Sequence, residues 1–500
     1  MSQSASHTDS PGPIPSPDGI APLDDDHFHD ECGVFGVYGA EDAASLTALG
    51  LHALQHRGQE AGGIVAYDGD HFNSHKALGL IGDNFNGPDV MDRLIGDRAI
   101  GHTRYSTTGD TILRNVQPMF ADLAFGGFAI AHNGNLTNAY QTRKALTQRG
   151  CIFQSTSDTE TIIHLIAIST ETTFIDRFVD ALRKVDGAYS LVAMTRRKLI
   201  GARDPYGVRP LVLGRLNEAY ILASETCALD IIGADFVREI EPGELVIIDE
   251  NGLRSLKPFA HVPSRFCIFE YIYFARPDST MNGHNVYQVR KEIGAQLAAE
   301  SHVPADVVVP VPDSGVPAAI GYAEAAGTPF ELGIIRNHYV GRTFIEPTQN
   351  IRHLGVKLKH NANPGFLRGK RVVLVDDSIV RGTTSRKIVE MVRAAGAVEV
   401  HMRISSPPTT NSCFYGIDTP SKSELMAANM TIEEMAEQIG LDSLAFISLD
   451  GLYRAVGESA RQSALPQYCD ACFTGAYPIR LTDLDSGPVP EQLSLLAERG

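Results

Sequence analysis

No apolar run in the 500-residue sequence is long enough to cross a bilayer, so the chain is not expected to span or bind a membrane. Its start lacks the basic-then-apolar pattern of an export signal, and a cytoplasmic protein is expected. Positive charge is in deficit: 43 Lys and Arg stand against 60 Asp and Glu, a formal net charge of -17. That argues against nucleic acid as a partner, although local basic patches stay open. There is no Gly-Lys-Ser or Gly-Lys-Thr, so no Walker phosphate loop is present. Cysteines number seven, an odd count at irregular spacing. Without an export signal they read as thiols or metal ligands, not as a disulfide frame. The length exceeds one ordinary core, so two or three domains are expected.

What is present is densest at Arg371 to Arg386, RVVLVDDSIVRGTTSR. Residues 371–375 form a short apolar run, the pattern of a strand covered on both faces. Asp376 and Asp377 fall where that strand should end. Ser378 follows, and Arg381, Gly382, Thr383, Thr384 and Ser385 then lead into a helix. A glycine turn followed by hydroxyls and free N–H groups at a helix start makes an anion site. Paired acids just before it suit a sugar diol or a metal. One loop can thus hold a ribose with its 5'-phosphate, although a buried strand and a capped helix would share part of the pattern. The stretch resembles the phosphoribosyl pyrophosphate (PRPP) signature of the type I phosphoribosyltransferases.

Strands expected at 306–310, 332–335, 371–375 and 398–404 alternate with helices, which predicts a mostly parallel sheet. Ligands of such sheets sit at the carboxyl ends of the strands. A second loop falls there, Val311-Pro312-Asp313-Ser314-Gly315. Its N–H groups suit a pyrophosphate and Ser314 a metal, or it is only a proline-rich turn. Residues 336–368 carry Arg342, Arg352, Lys357, Lys359 and Arg368. That is a solvated face or, opposite a polyphosphate, a basic lid that closes and excludes water.

Residues 1–31 are rich in Ser, Pro, Asp and His and are expected to be disordered. The texture then changes to Cys32-Gly33-Val34-Phe35, the start of an apolar strand. Cys32 is either a small buried hydrophobe or a nucleophile exposed as the N-terminal residue by removal of a propeptide. A freed α-amine, with a pKa of about 8, would serve as its base. Downstream come Gln55-His56-Arg57-Gly58, Gly101-His102-Thr103-Arg104-Tyr105-Ser106-Thr107, a polar turn expected at 132–138 with Asn133-Gly134, and Ser157-Asp158-Thr159-Glu160. Singly each has an ordinary explanation: an ion pair for Arg104, a hairpin turn for Asn133-Gly134, a capping box for Asp158. Together and in order after Cys32 they resemble the N-terminal-nucleophile glutamine amidotransferases. That resemblance implies that Arg104 holds the glutamine carboxylate, Asp158 its ammonium, and Asn133 with the Gly134 N–H the oxyanion. His102 and His132 read as structural.

Cys469-Asp470-Ala471-Cys472, with Cys267 and Cys413, offers four thiolates. Spacing alone leaves a redox dithiol, zinc and an iron–sulfur cluster open. Cys151 and Cys227 read as core residues.

A glutaminase half followed by a PRPP-binding half resembles the glutamine PRPP amidotransferases, in their iron–sulfur class. This implies an α/β and α+β chain of two domains. Residues 32–262 would form a four-layer αββα glutaminase domain. Residues 263–480 would form a type I phosphoribosyltransferase domain, joined through a linker at 251–264, with a loosely held tail at 481–500. The implied reaction converts glutamine, PRPP and water to 5-phosphoribosylamine, glutamate and pyrophosphate, the first committed step of purine synthesis. Ammonia made at Cys32 would pass internally to the PRPP site. The implied cofactors are Mg2+ on Ser314, Asp376 and Asp377, and a [4Fe-4S] cluster on Cys267, Cys413, Cys469 and Cys472. Purine nucleotide inhibitors and a homotetramer are implied as well. A glutaminase joined to another acceptor domain, such as a sugar isomerase, fits the Asp376–Ser385 loop poorly. A PRPP-sensing regulator would have no use for Cys32 and its partners.

Overall fold

The computed structural model describes residues 32–105, 112–337 and 360–485. The expected propeptide, Ser106 and Thr107, the lid cations Arg342, Arg352, Lys357 and Lys359, and the tail beyond 485 lie outside the described residues.

The first half is two antiparallel sheets, of seven and six strands, packed face to face. Gly33–Tyr38 runs near the middle of the seven-stranded sheet, between Arg98–Arg104 and Ala219–Ala223. Its side chains alternate as a two-residue repeat requires. Val34 points between the sheets with Val65, Ile100, Val192 and Leu222. Phe35 and Val37 point outward, under the helix Ala43–Ala53. Helices Thr159–Ile168 and Phe174–Leu182 cover the outer face of the other sheet through Ile162, Ile166 and Phe178. This gives the four layers expected.

Two local expectations fail here. Of the segment 132–138 only Thr137 and Asn138 form a turn; residues 132–136 belong to the strand Gly126–Leu136, paired with Gly187–Thr195 from Phe128↔Thr195 to Leu136↔Gly187. Its polar residues suggested a loop; they sit on a strand because they line a site. The first part of the linker expected at 251–264 is the strand Gly252–Leu256, which pairs with Leu245–Asp249 in a hairpin. None of its residues is fully buried and its last three are exposed, so it read as less apolar chain.

The second half centres on four parallel strands in the order Val307–Pro310, Arg371–Asp376, Glu399–Ile404 and Ser443–Phe446. Both faces are covered, hence the continuous apolar runs. Helices Val286–Ser301 and Val316–Ala326 pack on Val308, Val373 and Val375. Helix Thr383–Ala394 packs on Val372 and Leu374. The strand expected at 332–335 is not part of this sheet. Ile334–Arg336 pairs antiparallel with His360–Ala362 in a two-stranded ribbon, with Ile335 half-exposed.

The halves share a core, since Ala188 and Val208 of the first pack among residues of the second. The tail from 481, expected to be loosely held, is docked as far as it is described, and so is the chain just before it. Ile479 is buried. The Asp483 carboxylate accepts the N–H groups of Tyr140 and Gln141 at 2.8 and 3.1 Å, at the start of the helix Ala139–Gln148. An acid at a helix N-terminus satisfies orphan donors and complements the dipole. No helix among the described residues is long and apolar enough to cross a membrane.

Candidate functional site

Cys32 stands at the mouth of the first central strand, with its side chain buried. Its carbonyl accepts from Arg57 Nε at 3.3 Å, and the next N–H, of Gly33, donates to Thr103 Oγ1 at 3.1 Å. The Sγ lies 3.7 Å from the Tyr105 carbonyl. Burial pushes the thiol above its ordinary pKa; the Arg104 guanidinium opposes this and the Asp158 charge adds to it. A thiol so held is neutral at rest and needs a base. His102 is not that base. Burial, and then the Arg104 charge, push its imidazole down to about 3, and its Nε2 donates to the His132 carbonyl at 3.1 Å. Arg104, also buried, donates to the Asn115 carbonyl at 3.4 Å.

The strand Gly126–Leu136 brings the remaining groups to the same place. Opposite Gly134 lies Tyr189, whose N–H and C=O are both bonded to Asp204. In an antiparallel ladder that leaves the Gly134 N–H pointing to the other edge. On that edge the His132 N–H is held by Gln117 Oε1 at 2.8 Å and the Leu136 N–H by Asp158 Oδ2 at 2.9 Å. The Gly134 N–H lies between them and points into the site. The Asn133 amide is buried, with neither its oxygen nor its nitrogen hydrogen-bonded. An unsatisfied buried amide costs roughly 1–3 kcal/mol, which a ligand would recover. Asp158 is not explained by a capping box, because the Glu160 carboxylate turns back to the N–H groups of Gln154 and Ser155. Burial would raise the Asp158 carboxyl, but the His132 charge and several hydrogen bonds hold it below its usual range, so it stays anionic.

The second centre lies at the carboxyl ends of the parallel strands. Asp376 and Asp377 are buried where Arg371–Asp376 ends. Ser378 Oγ donates to Asp377 Oδ1 at 2.5 Å, while Asp377 Oδ2 and Thr383 Oγ1 are buried without a partner. Gly382, at φ +76°, turns the chain into the helix Thr383–Ala394, with Thr384 and Ser385 buried in its first turn. Arg381 is paired with Glu424 at 2.9 Å. The Ser314 turn stands beside this loop, since the Val311 N–H donates to the Val375 carbonyl at 2.9 Å. The structure therefore brings both expected loops to one edge. Two buried acids, with one Asp377 oxygen unbonded beside hydroxyls, fit a hard cation and a phosphorylated sugar.

Cys267, Cys413, Cys469 and Cys472 converge on one cavity, also lined by Arg209 and Tyr477. Cys267 and Cys469 are brought together by the parallel pairing of Phe266–Cys267 with Tyr468–Cys469. Burial raises the thiol pKa values of Cys267 and Cys472, and pushes Cys469 up to about 12. Among the described residues, no group of three or more His, Cys, Asp or Glu side chains closes on a single metal ion. Four thiols lining one shared space suit tetrahedral zinc or an iron–sulfur cluster. The buried Arg209 guanidinium offsets the charge that thiolates there would carry.

One set of residues received no role from the sequence. Arg57 is fully buried between the halves, 2.6 Å from Glu225 and 2.7 Å from Glu270, and Arg209 reaches Glu270 at 3.4 Å. Arg57 stands in the Gln55–Gly58 stretch that the sequence singled out, but its acids are 168 and 213 positions away. Only a buried cation in a motif hints at such a network.

Residues 102–230 match the glutamine amidotransferase domain family, and residues 282–405 match the phosphoribosyl transferase domain family. The chain is 59% identical over 485 residues to an amidophosphoribosyltransferase of Rhizobium etli, covering 96% of this chain and 98% of that one. It is 51% identical over 455 residues to one from Bacillus subtilis, covering 91% and 95%. A solved glutamine PRPP amidotransferase from B. subtilis, complexed with ADP and GMP, aligns at TM-score 0.85 and 50% identity over 90% of this chain and 98% of its own. A structure of the allosteric regulatory enzyme of purine biosynthesis aligns at 0.86 and 50% over 90% and 97%.

Proposed function

The chain belongs to the amidophosphoribosyltransferase family, and from that premise we propose how its two centres divide the reaction. The protein is a glutamine-dependent amidophosphoribosyltransferase. It turns glutamine, PRPP and water into 5-phosphoribosylamine, glutamate and pyrophosphate, the first step of purine synthesis.

Removal of residues 1–31 frees the Cys32 α-amine. That amine, with a pKa of about 8, takes the thiol proton as Sγ attacks the glutamine amide carbon. Arg104 grips the glutamine carboxylate and Asp158 its ammonium. The Gly134 N–H and the Asn133 amide receive the oxyanion. Collapse expels ammonia, leaving a glutamyl thioester that water hydrolyses to glutamate. At the second centre ammonia attacks C1 of PRPP and pyrophosphate departs. Asp376, Asp377, Ser378 and the turn Arg381–Ser385 hold the ribose and its 5'-phosphate. Ser314, Asp376 and Asp377 would hold magnesium, which supplies charge neutralisation on the pyrophosphate. The four cysteines would hold a [4Fe-4S] cluster, which supplies a cross-link within the fold, the reaction being redox-neutral. The observation that carries the reading is the Arg104 and Asp158 charges acting on the buried Cys32 thiol, with the unbonded Asn133 amide on the strand that Asp158 holds.

Purine nucleotides are the proposed feedback inhibitors, a reading supported by the ADP and GMP bound to the B. subtilis relative. A homotetramer is proposed, and half-exposed Phe236 and Val237 offer apolar surface for it. The location is proposed to be cytoplasmic, the compartment that holds a phosphorylated sugar substrate. The test is glutamate release from glutamine by anaerobically handled protein, with and without PRPP and magnesium. Strong stimulation with an equal yield of pyrophosphate is expected. Release indifferent to PRPP would point to another acceptor. Inactivity with an intact mass that still includes residues 1–31 would mark an unprocessed precursor.

A further inference from the structure

The loop that begins at Cys413 belongs to the acceptor half, yet it lies against the strand that carries Asn133 and Gly134. The Asn135 amide donates to the Phe414 carbonyl at 3.0 Å. Gly416, at φ +112°, comes so close that a Cβ there would stand 2.9 Å from the Gly134 Cα. On the opposite side, a Cβ on Gly134 would stand 2.0 Å from the Ala188 carbonyl. Gly134 is thus held between Ala188 of its own half and Gly416 of the other. The loop is itself fixed. Arg209 Nε donates to the Tyr415 carbonyl at 2.8 Å, the Tyr415 hydroxyl to the Ile479 carbonyl at 2.7 Å, and the Tyr415 N–H to Cys413 Sγ at 3.3 Å.

We propose that Asn135 and Gly416 are positioning residues for glutamine hydrolysis, through which the acceptor-half loop 414–416 sets the aim of the Gly134 N–H at the oxyanion. The neighbouring N–H groups on that edge, of His132 and Leu136, are fixed by side chains of the first half. Gly134 has none, and its placement depends on what packs on either side. An oxyanion donor works within a few tenths of an ångström, and a misplacement of about 1 Å costs about 100-fold in rate. Ammonia would then be released at full rate only while the two halves are docked.

The inference rests on the oxyanion-hole reading of Asn133 and Gly134, and the test separates the two. Asn135→Ala removes the hydrogen bond to the Phe414 carbonyl, and Gly416→Ala drives a methyl group against Gly134. Each is compared with Asn133→Ala in the full, anaerobically purified chain. For the two positioning variants, kcat with glutamine should fall about 10- to 100-fold while KM for glutamine and the ammonia-dependent rate hold within about twofold. Amide exchange at residues 132–136 should quicken while the strand Gly33–Tyr38 keeps its protection. Glutamine-dependent and ammonia-dependent rates falling together, or kcat unchanged in both variants, would overturn the inference. If Asn133→Ala also leaves kcat intact, the oxyanion reading itself has failed. If Asn133→Ala alone lowers kcat, only the positioning role is lost.

Discussion

The two centres are assembled in opposite ways. The acceptor centre is mostly local: Asp376 to Ser385 are ten consecutive positions at the end of one strand and the start of one helix, joined only by the Ser314 turn beside them. The glutaminase centre is dispersed: Cys32, Arg104, Asn133 and Asp158 come from both sheets and a helix end. A contiguous loop takes its shape from its own backbone. A dispersed site is only as good as the packing of the sheets that carry it. The dispersed centre is accordingly the one that is braced, by Arg57 on the Cys32 carbonyl and, from the other half, by Gly416 on Gly134.

The comparison breaks most visibly at the nucleophile. Cys32→Ala should abolish glutamine-dependent product, on the order of 10^4-fold or more, as removing a hydrolase nucleophile does. Activity with added ammonia should survive, because no acceptor group is touched. Paired assays of product with glutamine and with ammonia decide it; loss of both would contradict separate centres. The reverse experiment is Asp377→Asn. Its carboxylate has one oxygen on Ser378 and the other unbonded, so the variant keeps its place while losing charge. Both routes should then fall together, by roughly 100-fold, if the proposed cation ligand, worth a few kcal/mol, is removed. Glutamine-dependent loss alone would place Asp377 outside the acceptor chemistry.

Between the centres runs the buried network Glu225–Arg57–Glu270–Arg209. Glu270→Gln leaves Arg57 with one acid and Arg209 with none from this residue. Breaking a buried pair costs about 3–5 kcal/mol, so the urea midpoint should drop clearly. PRPP should also stimulate glutamate release less, since Arg57 touches the Cys32 carbonyl. An unchanged midpoint would mean that the halves are held by their shared core alone.

The same contrast explains what the sequence could convey. The acceptor loop was legible because its acids, glycine and hydroxyls are neighbours in the chain. The glutaminase residues were legible only as four ordered motifs resembling a known family, each with an ordinary reading of its own. Polar residues 132–136 looked like a turn because polarity usually marks loops, whereas here it marks a strand facing a site. Four cysteines were noticed, but no spacing could say that Phe266–Cys267 pairs with Tyr468–Cys469 and so puts two of them together. Arg57 and Glu270 stayed silent, since a buried ion pair spanning 213 positions leaves no local pattern. The docked end at Asp483 read as a charged tail for the same reason.

The smallest effect concerns pH, and it sharpens the comparison because Glu225 serves the junction and neither centre. Burial alone would raise the Glu225 carboxyl; the charges of His56 and Arg57 outweigh it and hold the group well below the usual carboxylate range. A carboxylate with a depressed folded pKa contributes stability that is fully present above its unfolded value, 4.5, and is lost as pH falls toward the folded value. Glu225→Gln should therefore lower the melting temperature most at pH 7, with parent and variant converging below about pH 4.5. Asp204 acts with the opposite sign. Burial, only partly opposed by Arg203, pushes it up to about 6, so it favours the folded state as pH falls from 6 toward 4. Asp204 is intact in both proteins, so its effect cancels in the difference between them. Melting curves of the pair from pH 7 down through pH 4.5 to about pH 2 isolate Glu225. A difference independent of pH would show that Glu225 acts at the junction by shape and hydrogen bonding, not by charge.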